Sequence, residues 1–358
     1  MTRPARACID LSALGHNFTR ARQAAPDSRV MAIIKANAYG HGLLPVARTL
    51  ADADAFGVAM LEEAIALREA GFDRRIVLLE GAFDAGEAVL INGYRVDVVV
   101  HHTSQLDMLE QARFTRPVDV WLKLDTGMHR LGFPVEALDA ARQRLERSGR
   151  VGRIFLMSHF ACADERGSPS AQAQLQCFLD ATTGPGGERT LANSAGVLAW
   201  PESRLDWVRP GIMLYGSSPL ADQSAQQLDL QPVMTLESRL IAVNRHRRGE
   251  AVGYGGDWVC PEDMDIGVAA IGYGDGYPRQ LPSGTPLLVN GKRAMLAGRV
   301  SMDMITIDLR EVPGATVGDR VTLWGDGLPV DDIAARAGTI AYELLCGISA
   351  RVPRVYRD

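Results

Sequence analysis

Short apolar runs alternate with helical patterns through the first part of the chain, beginning at VMAIIKANAYGHG, Val30 to Gly42. The residues ahead of Lys35 are apolar, with no polar break after Arg29. That reads as a strand buried on both faces, as in a parallel sheet. FGVAM (Phe56–Met60) precedes LEEAIALREAG, whose apolar spacing is helical and whose Gly71 is a C-terminal stop. IVLLE (Ile76–Glu80), DVVV (Asp97–Val100), VWLKLDTG (Val120–Gly127), IFLMSHF (Ile154–Phe160), TLANS (Thr190–Ser194) and DWVRPG (Asp206–Gly211) continue the series. Eight candidate strands with intervening helices predict an α/β fold, a (β/α)8 barrel of the TIM type. Prolines and polar residues around Ser217–Gln231 then suggest a domain boundary.

Past Gln231 the pattern changes to β-branched runs separated by Gly, Asn and Asp: VMTLESRLIAVN, IGVAAIGYGDG, TPLLVNGKRAMLAGRVSMDMITIDL and DRVTLWG. Asn290-Gly291 between two such runs is a two-residue hairpin signal. Helical spacing returns only at Asp332–Leu345. The expected organisation is a barrel over 10–226 and a C-terminal mainly-β domain over 227–358. Residues 1–9, through ARACID, are a candidate extra strand for that second domain.

Composition narrows the function classes. The 358 residues suffice for two substantial cores. A net charge of −5 gives no basic footprint for nucleic acid or a membrane surface. No run approaches a membrane span, and MTRPARACIDLSAL lacks the apolar stretch of a signal peptide. The five cysteines (Cys8, Cys162, Cys177, Cys260, Cys346) form no CxxC pair or metal-type spacing. Reduced thiols in a soluble, cytoplasmic protein are expected.

In such a barrel the working residues gather at the carboxyl ends of strands. The candidates there are Lys35, Tyr39, Lys123, Asp125, His159, Asn193, Ser194 and Arg209. A lysine at the end of a buried strand is partly desolvated, which disfavours the ammonium and favours a nucleophilic amine. Equally, it can be a core lysine whose head reaches out to water. Arg209-Pro210-Gly211-Ile212 offers backbone N–H groups that, with Ser194, suit a phosphate. Glycines after strands are more often plain turns. The carboxylate and histidine clusters a divalent metal wants are missing, so no metal is expected. His101-His102 follows a strand, but adjacent side chains need not face one way.

IIKANAYGHG, KLDTGMHRLG, SHFACADE, RPGIMLYG, VGYGGDW, IGYGDGYPR, GRVSMDM and YELLCGISARVPR occur in that order. Together they resemble the alanine racemase family, from about Ala5 to Arg354. The DTGMHR, WVRPGI and VPRVY forms look most like the catabolic branch of Gram-negative bacteria. The resemblance implies a homodimeric isomerase that interconverts L- and D-alanine with pyridoxal 5'-phosphate, for D-alanine supply to the wall or for alanine catabolism.

It also implies roles. Lys35 holds the cofactor covalently and serves as one base, with Tyr254, in VGYGG, as the base on the other face. A phenol is a poor base in water, and a cation such as Arg130 favours its phenolate. Tyr39, Ser194, the N–H groups of Gly211 and Ile212, and Tyr342 form the phosphate cradle. Arg209 faces the pyridine nitrogen and His159 orients it. Arg130 and the backbone at Met302 bind the substrate carboxylate, while Tyr273 narrows the entrance. Lys123 matches a lysine carbamylated in some relatives. Ser301 and His129 depart from the residues some relatives carry. In the family the catalytic tyrosine reaches the partner's barrel, which implies shared active sites. The rivals are a broader-specificity amino-acid racemase, a barrel decarboxylase with the same cofactor, and a pyridoxal-phosphate homeostasis protein of the same barrel type. The last should lack a β domain bearing Tyr254 and Tyr342.

Overall fold

The structure is a computed structural model that describes residues 3–184 and 186–358. The chain starts with strand β1 (Arg6–Asp10) and enters its first helix (Leu11–Ala24) through Asp10, whose Oδ1 accepts from the Ala13 N–H (2.8 Å). Eight parallel strands then close into a barrel: β2 (Arg29–Ile33), β3 (Ala55–Val58), β4 (Arg75–Leu78), β5 (Asp97–Val100), β6 (Val118–Lys123), β7 (Val151–Met157), β8 (Arg189–Thr190) and β9 (Trp207–Val208), with β9 returning to pair with β2. The continuous apolar runs are explained by this closure, because helices cover the outside while side chains fill the inside. Trp121 stacks on Phe155 at 4.2 Å between ring centroids, and Trp207 meets Trp121 edge-on at 5.5 Å.

Two strands are shorter than their apolar runs suggested. TLANS is strand only through Thr190, because Asn193 caps the next helix (Ser194–Ala199) through its side chain. VWLKLDTG leaves the sheet after Lys123, where Leu124 and Phe133 bridge to close a loop.

The second unit is an eight-stranded sheet in the order β13-β16-β15-β14-β17-β10-β1-β18. Its strands are β10 (Met234–His246), β13 (Met264–Ala269), β14 (Pro286–Val289), β15 (Lys292–Leu296), β16 (Ile305–Asp308), β17 (Arg320–Trp324) and β18 (Arg354–Arg357), with a small ribbon of β11 (Ala251–Val252) and β12 (Trp258–Val259) beside it. β10 also pairs with β13, so the sheet curls. Asn290 (φ 49°) and Gly291 (φ 78°) make the β14–β15 turn, both in the left-handed region that a two-residue hairpin requires. The N-terminal strand β1 lies in this sheet, antiparallel to β10 and parallel to β18. The helical stretch at Asp332–Leu345 is two helices, Val330–Ala337 and Ala341–Cys346, separated at Gly338 (φ 68°). The second of them packs over the barrel mouth. Among the described residues no helix is long and apolar enough to cross a membrane.

Candidate active site

A cavity of about 620 Å³ opens at the carboxyl ends of the barrel strands, within the usual size for small-molecule sites. It is lined by Lys35, Tyr39, Lys123, Arg130, His159, Ser194, Arg209, Gly211, Ile212 and Tyr342, all expected from sequence. These residues are far apart in sequence and come together because parallel strands end on one face.

Lys35 opens a turn that runs left-handed. Ala36, Asn37, Ala38 and Tyr39 have φ of 54°, 53°, 54° and 51°. Each such non-glycine residue costs about 1–2 kcal/mol, so the segment is held by its surroundings. The Asn37 N–H donates to Glu63 Oε1 (2.9 Å), and Asn37 Oδ1 accepts from the Leu43 N–H (2.8 Å). A Cβ on Gly40 would lie 2.2 Å from the Leu345 carbonyl oxygen, so the helix from the β domain sits directly on this turn. Tyr39 stacks on Tyr215 at 4.6 Å and meets Tyr342 at 5.8 Å. Burial pushes the Tyr39 phenol well above its usual value, so it stays a neutral hydroxyl donor.

Ser194, Gly211 and Ile212 line the cavity near Tyr39. Ser194 Oγ accepts from the N–H groups of Gly211 (2.8 Å) and Met213 (3.4 Å). Gly211 lies beside the Tyr39 phenol, and a Cβ there would stand 2.6 Å from its oxygen. The Tyr39 hydroxyl, Ser194 and the Gly211 backbone therefore lie together on one side of the cavity, where a larger residue at Gly211 would strike the phenol. Hydroxyls and N–H groups without a carboxylate among them form a set suited to a phosphate. With an amine nearby, the residues fit pyridoxal phosphate.

Arg209 is buried, and both of its Nη atoms are hydrogen-bonded. Its Nη1 donates to Thr190 Oγ1 (2.6 Å), and its Nη2 donates to the Ser158 carbonyl (2.7 Å) and to His159 Nδ1 (3.2 Å). Because a guanidinium only donates, Nδ1 must be the unprotonated nitrogen of a neutral imidazole. Burial, then the charges of Arg209 and Lys123, hold His159 well below its usual value, which agrees. Burial alone lowers Arg209 to about 10, so it remains charged at neutral pH. Lys123, at the end of β6, is lowered to about 8 by burial and by Arg209, Arg130 and Lys35. Asp125 shapes the loop that carries Arg130. Its Oδ1 accepts from the N–H groups of Gly127, Met128 and His129, and its Oδ2 contacts His129 Nδ1 (3.0 Å).

Tyr254, Tyr273 and Met302 lie elsewhere. They sit on the β domain, do not line this cavity, and are 67%, 40% and 53% exposed. Tyr273 and Met302 occupy adjoining loops, since the Tyr273 N–H donates to the Ser301 carbonyl (3.0 Å) and the Gly274 N–H to the Met302 carbonyl (2.9 Å). Arg3 and Arg351 both pair with the buried Asp275 and with Asp303, fastening those loops.

Glu80 and Cys346 also line the cavity and were not among the sequence candidates. Glu80 ends the IVLLE run, so the strand-end rule applied there was signal enough. Cys346 carried no local signal, as it arrives on a helix of the other domain. Among the described residues no group of three His, Cys, Asp or Glu is assembled for a metal. His102 caps the helix Thr103–Gln111, its Nδ1 accepting from the Ser104 N–H (3.2 Å).

Comparison with known proteins gives this site its context. Residues 9–219 match the model of the alanine racemase N-terminal domain, and residues 233–356 match that of the C-terminal domain. The chain is 55% identical to the alanine racemase of Thioalkalivibrio sulfidiphilus and 52% identical to that of Vibrio parahaemolyticus, covering 99% and 98% of this chain and 99% of each relative. It superposes on the crystal structure of the biosynthetic alanine racemase from Pseudomonas aeruginosa with a TM-score of 0.97 at 50% identity, over the whole of both chains. The alanine racemase from Bartonella henselae with covalently bound pyridoxal phosphate superposes with a TM-score of 0.88 at 26% identity, over 99% of each chain. These matches are consistent with the Gram-negative branch. The chain belongs to the alanine racemase family.

Proposed function

We propose that this protein interconverts L- and D-alanine, with pyridoxal phosphate held at the barrel mouth and two bases on opposite faces of the substrate. The observation that carries the reading is the convergence of Lys35 with the Tyr39, Ser194 and Gly211 donors in one cavity, in a chain of this family. When bound, the cofactor supplies the electron sink that makes the α-proton of alanine removable. Lys35 anchors it and moves a proton on one face, and Tyr254 does so on the other. Tyr39, Ser194, Tyr342 and the N–H groups of Gly211 and Ile212 bind the phosphate. Arg209, oriented by His159, would face the pyridine nitrogen, and because a guanidinium offers no acceptor for a ring N–H that nitrogen would stay unprotonated. That weakens the electron sink and disfavours transamination. Arg130 and, from a second copy of the chain, the backbone at Met302 would bind the alanine carboxylate, with Tyr273 of that copy narrowing the entrance. The lowered proton affinity of Lys123 leaves a neutral fraction able to take up carbon dioxide as a carbamate.

Tyr254 is exposed and away from the cavity of its own chain, which supports a homodimer in which it enters the partner's barrel. The enzyme then works in the cytoplasm. The neighbour described as biosynthetic supports D-alanine supply for the wall, and the reversible reaction equally permits catabolism. Purified protein incubated with L-alanine and resolved by chiral chromatography should yield D-alanine, and Lys35→Ala should not. No D-alanine from the wild-type protein sinks the reading. Mixing Lys35→Ala with Tyr254→Phe chains should restore activity, because each mixed dimer carries one intact site. Verified subunit exchange without recovery removes the sharing.

A further inference from the structure

His41 lies in the KANAYGHG motif but outside the cavity. It is fully buried, and its Nδ1 lies 3.0 Å from the Ala38 carbonyl and 2.9 Å from the Tyr39 carbonyl. Carbonyls only accept, so Nδ1 carries the proton. The other nitrogen, Nε2, is buried without a partner among the described residues. The ring packs on Tyr215 at 4.6 Å, on the same phenol that stacks against Tyr39.

The carbonyls of the left-handed turn are all occupied. Those of Ala36 and Asn37 accept from the N–H groups of Gly40 (3.0 Å) and Gly42 (2.9 Å). His41 serves those of Ala38 and Tyr39. The Gly40 carbonyl accepts from Arg354 Nε (3.1 Å), and the His41 carbonyl from the Tyr356 hydroxyl (3.0 Å). Both of these donors come from β18 of the second domain. Gly42 has to be glycine, since a Cβ would sit 2.0 Å from the Tyr356 oxygen.

We propose that His41 is a positioning residue: its neutral ring, donating from Nδ1 to two carbonyls of the left-handed turn, sets where Lys35 and Tyr39 enter the cavity. Burial lowers its proton affinity to about 4, so the ring remains neutral across the working range of the enzyme. This rests on the reading of Lys35 and Tyr39 as cofactor residues. His41 itself touches neither cofactor nor substrate.

His41→Asn keeps a donor near the Nδ1 position, whereas His41→Phe keeps the ring and removes the donor. Titration of the cofactor-free proteins with pyridoxal phosphate, followed by the visible absorbance of the bound cofactor, separates them. We expect binding about tenfold or more weaker in His41→Phe, with kcat reduced and KM for alanine little changed. His41→Asn should recover most of the loss. Equal affinities in the wild type and both variants, or equal loss in both with a lowered Tm, overturn the proposal and leave His41 as filling. Should His41→Phe fail to fold, the tautomer decides. Nitrogen-15 spectra of the holoenzyme should give a neutral Nδ1–H imidazole from about pH 6 to about pH 9, and a protonated or Nε2–H ring overturns it. Lys35→Ala losing covalent retention of the cofactor tests the underlying reading by itself. If it retains the cofactor covalently, that reading fails whatever His41 does.

Discussion

At the barrel mouth, Ser194, Arg209 and His159 are hydrogen-bonded within one chain. On the β domain, Tyr254, Tyr273 and Met302 are exposed and do not line that cavity. The first region is preorganised by burial. Its donors sit at the strand ends, and Tyr39 is packed between Tyr215 and Tyr342. The second is fixed in its loops, through Asp275 and its two arginines, yet faces outward. A fixed but exposed aromatic and methionine surface is what a self-associating interface presents. Under the proposed function, the contrast would separate cofactor binding at the mouth from racemisation, which would also need the β-domain face.

The largest expected effect is at the mouth. Lys35→Ala should cut racemisation by on the order of 10⁴-fold and release pyridoxal phosphate on gel filtration. Next comes Tyr254→Phe, with a loss of about 10²- to 10⁴-fold. Because Tyr254 is remote from the cavity of its own chain, its cofactor titration should match the wild type. Weakened cofactor binding there would break the separation of the two regions. Gly211→Ala should act in the opposite way. Its Cβ meets the Tyr39 hydroxyl, and overpacking of ~1–2 kcal/mol corresponds to about tenfold weaker cofactor binding.

The smallest effect concerns stability. Lys123 holds its proton less tightly folded than unfolded, 10.5 falling to about 8. The cost of that buried cation is therefore full below about pH 8 and is relieved as pH rises towards 10.5. In bicarbonate-free buffer, Lys123→Met should stabilise the protein by ~1–3 kcal/mol at neutral pH, with the gain shrinking through that window. Tyr254→Phe should leave Tm unchanged throughout. Thermal unfolding at several pH values checks both.

Much of the site was legible because strand ends are legible. Lys35, Lys123 and Arg209 end or follow apolar runs, and closure of a parallel barrel puts such ends on one face. The β14–β15 hairpin was equally plain, since Asn290-Gly291 is the pair that tolerates two left-handed residues. Glu80 was readable by the same rule. The motif order carried the roles of Tyr254 and Met302, which no local pattern in the chain announces.

The sequence by itself determined the run of eight barrel strands, the change to a β domain, and the residues at the strand ends. These depend on the spacing of neighbours, which short-range rules read. Only the tertiary structure decided how Lys35 is presented. KANAY carries no glycine to announce four left-handed residues; His41 donates to the carbonyls of Ala38 and Tyr39, and the next two carbonyls, of Gly40 and His41, accept from Arg354 and Tyr356 at the far end of the chain. Likewise Tyr342 and Cys346 reach the cavity because β1 and β18 lie side by side and bring the C-terminal helix over the mouth. The left-handed turn is thus bounded on its carboxyl side by contacts more than three hundred residues away, and no window along the chain contains both.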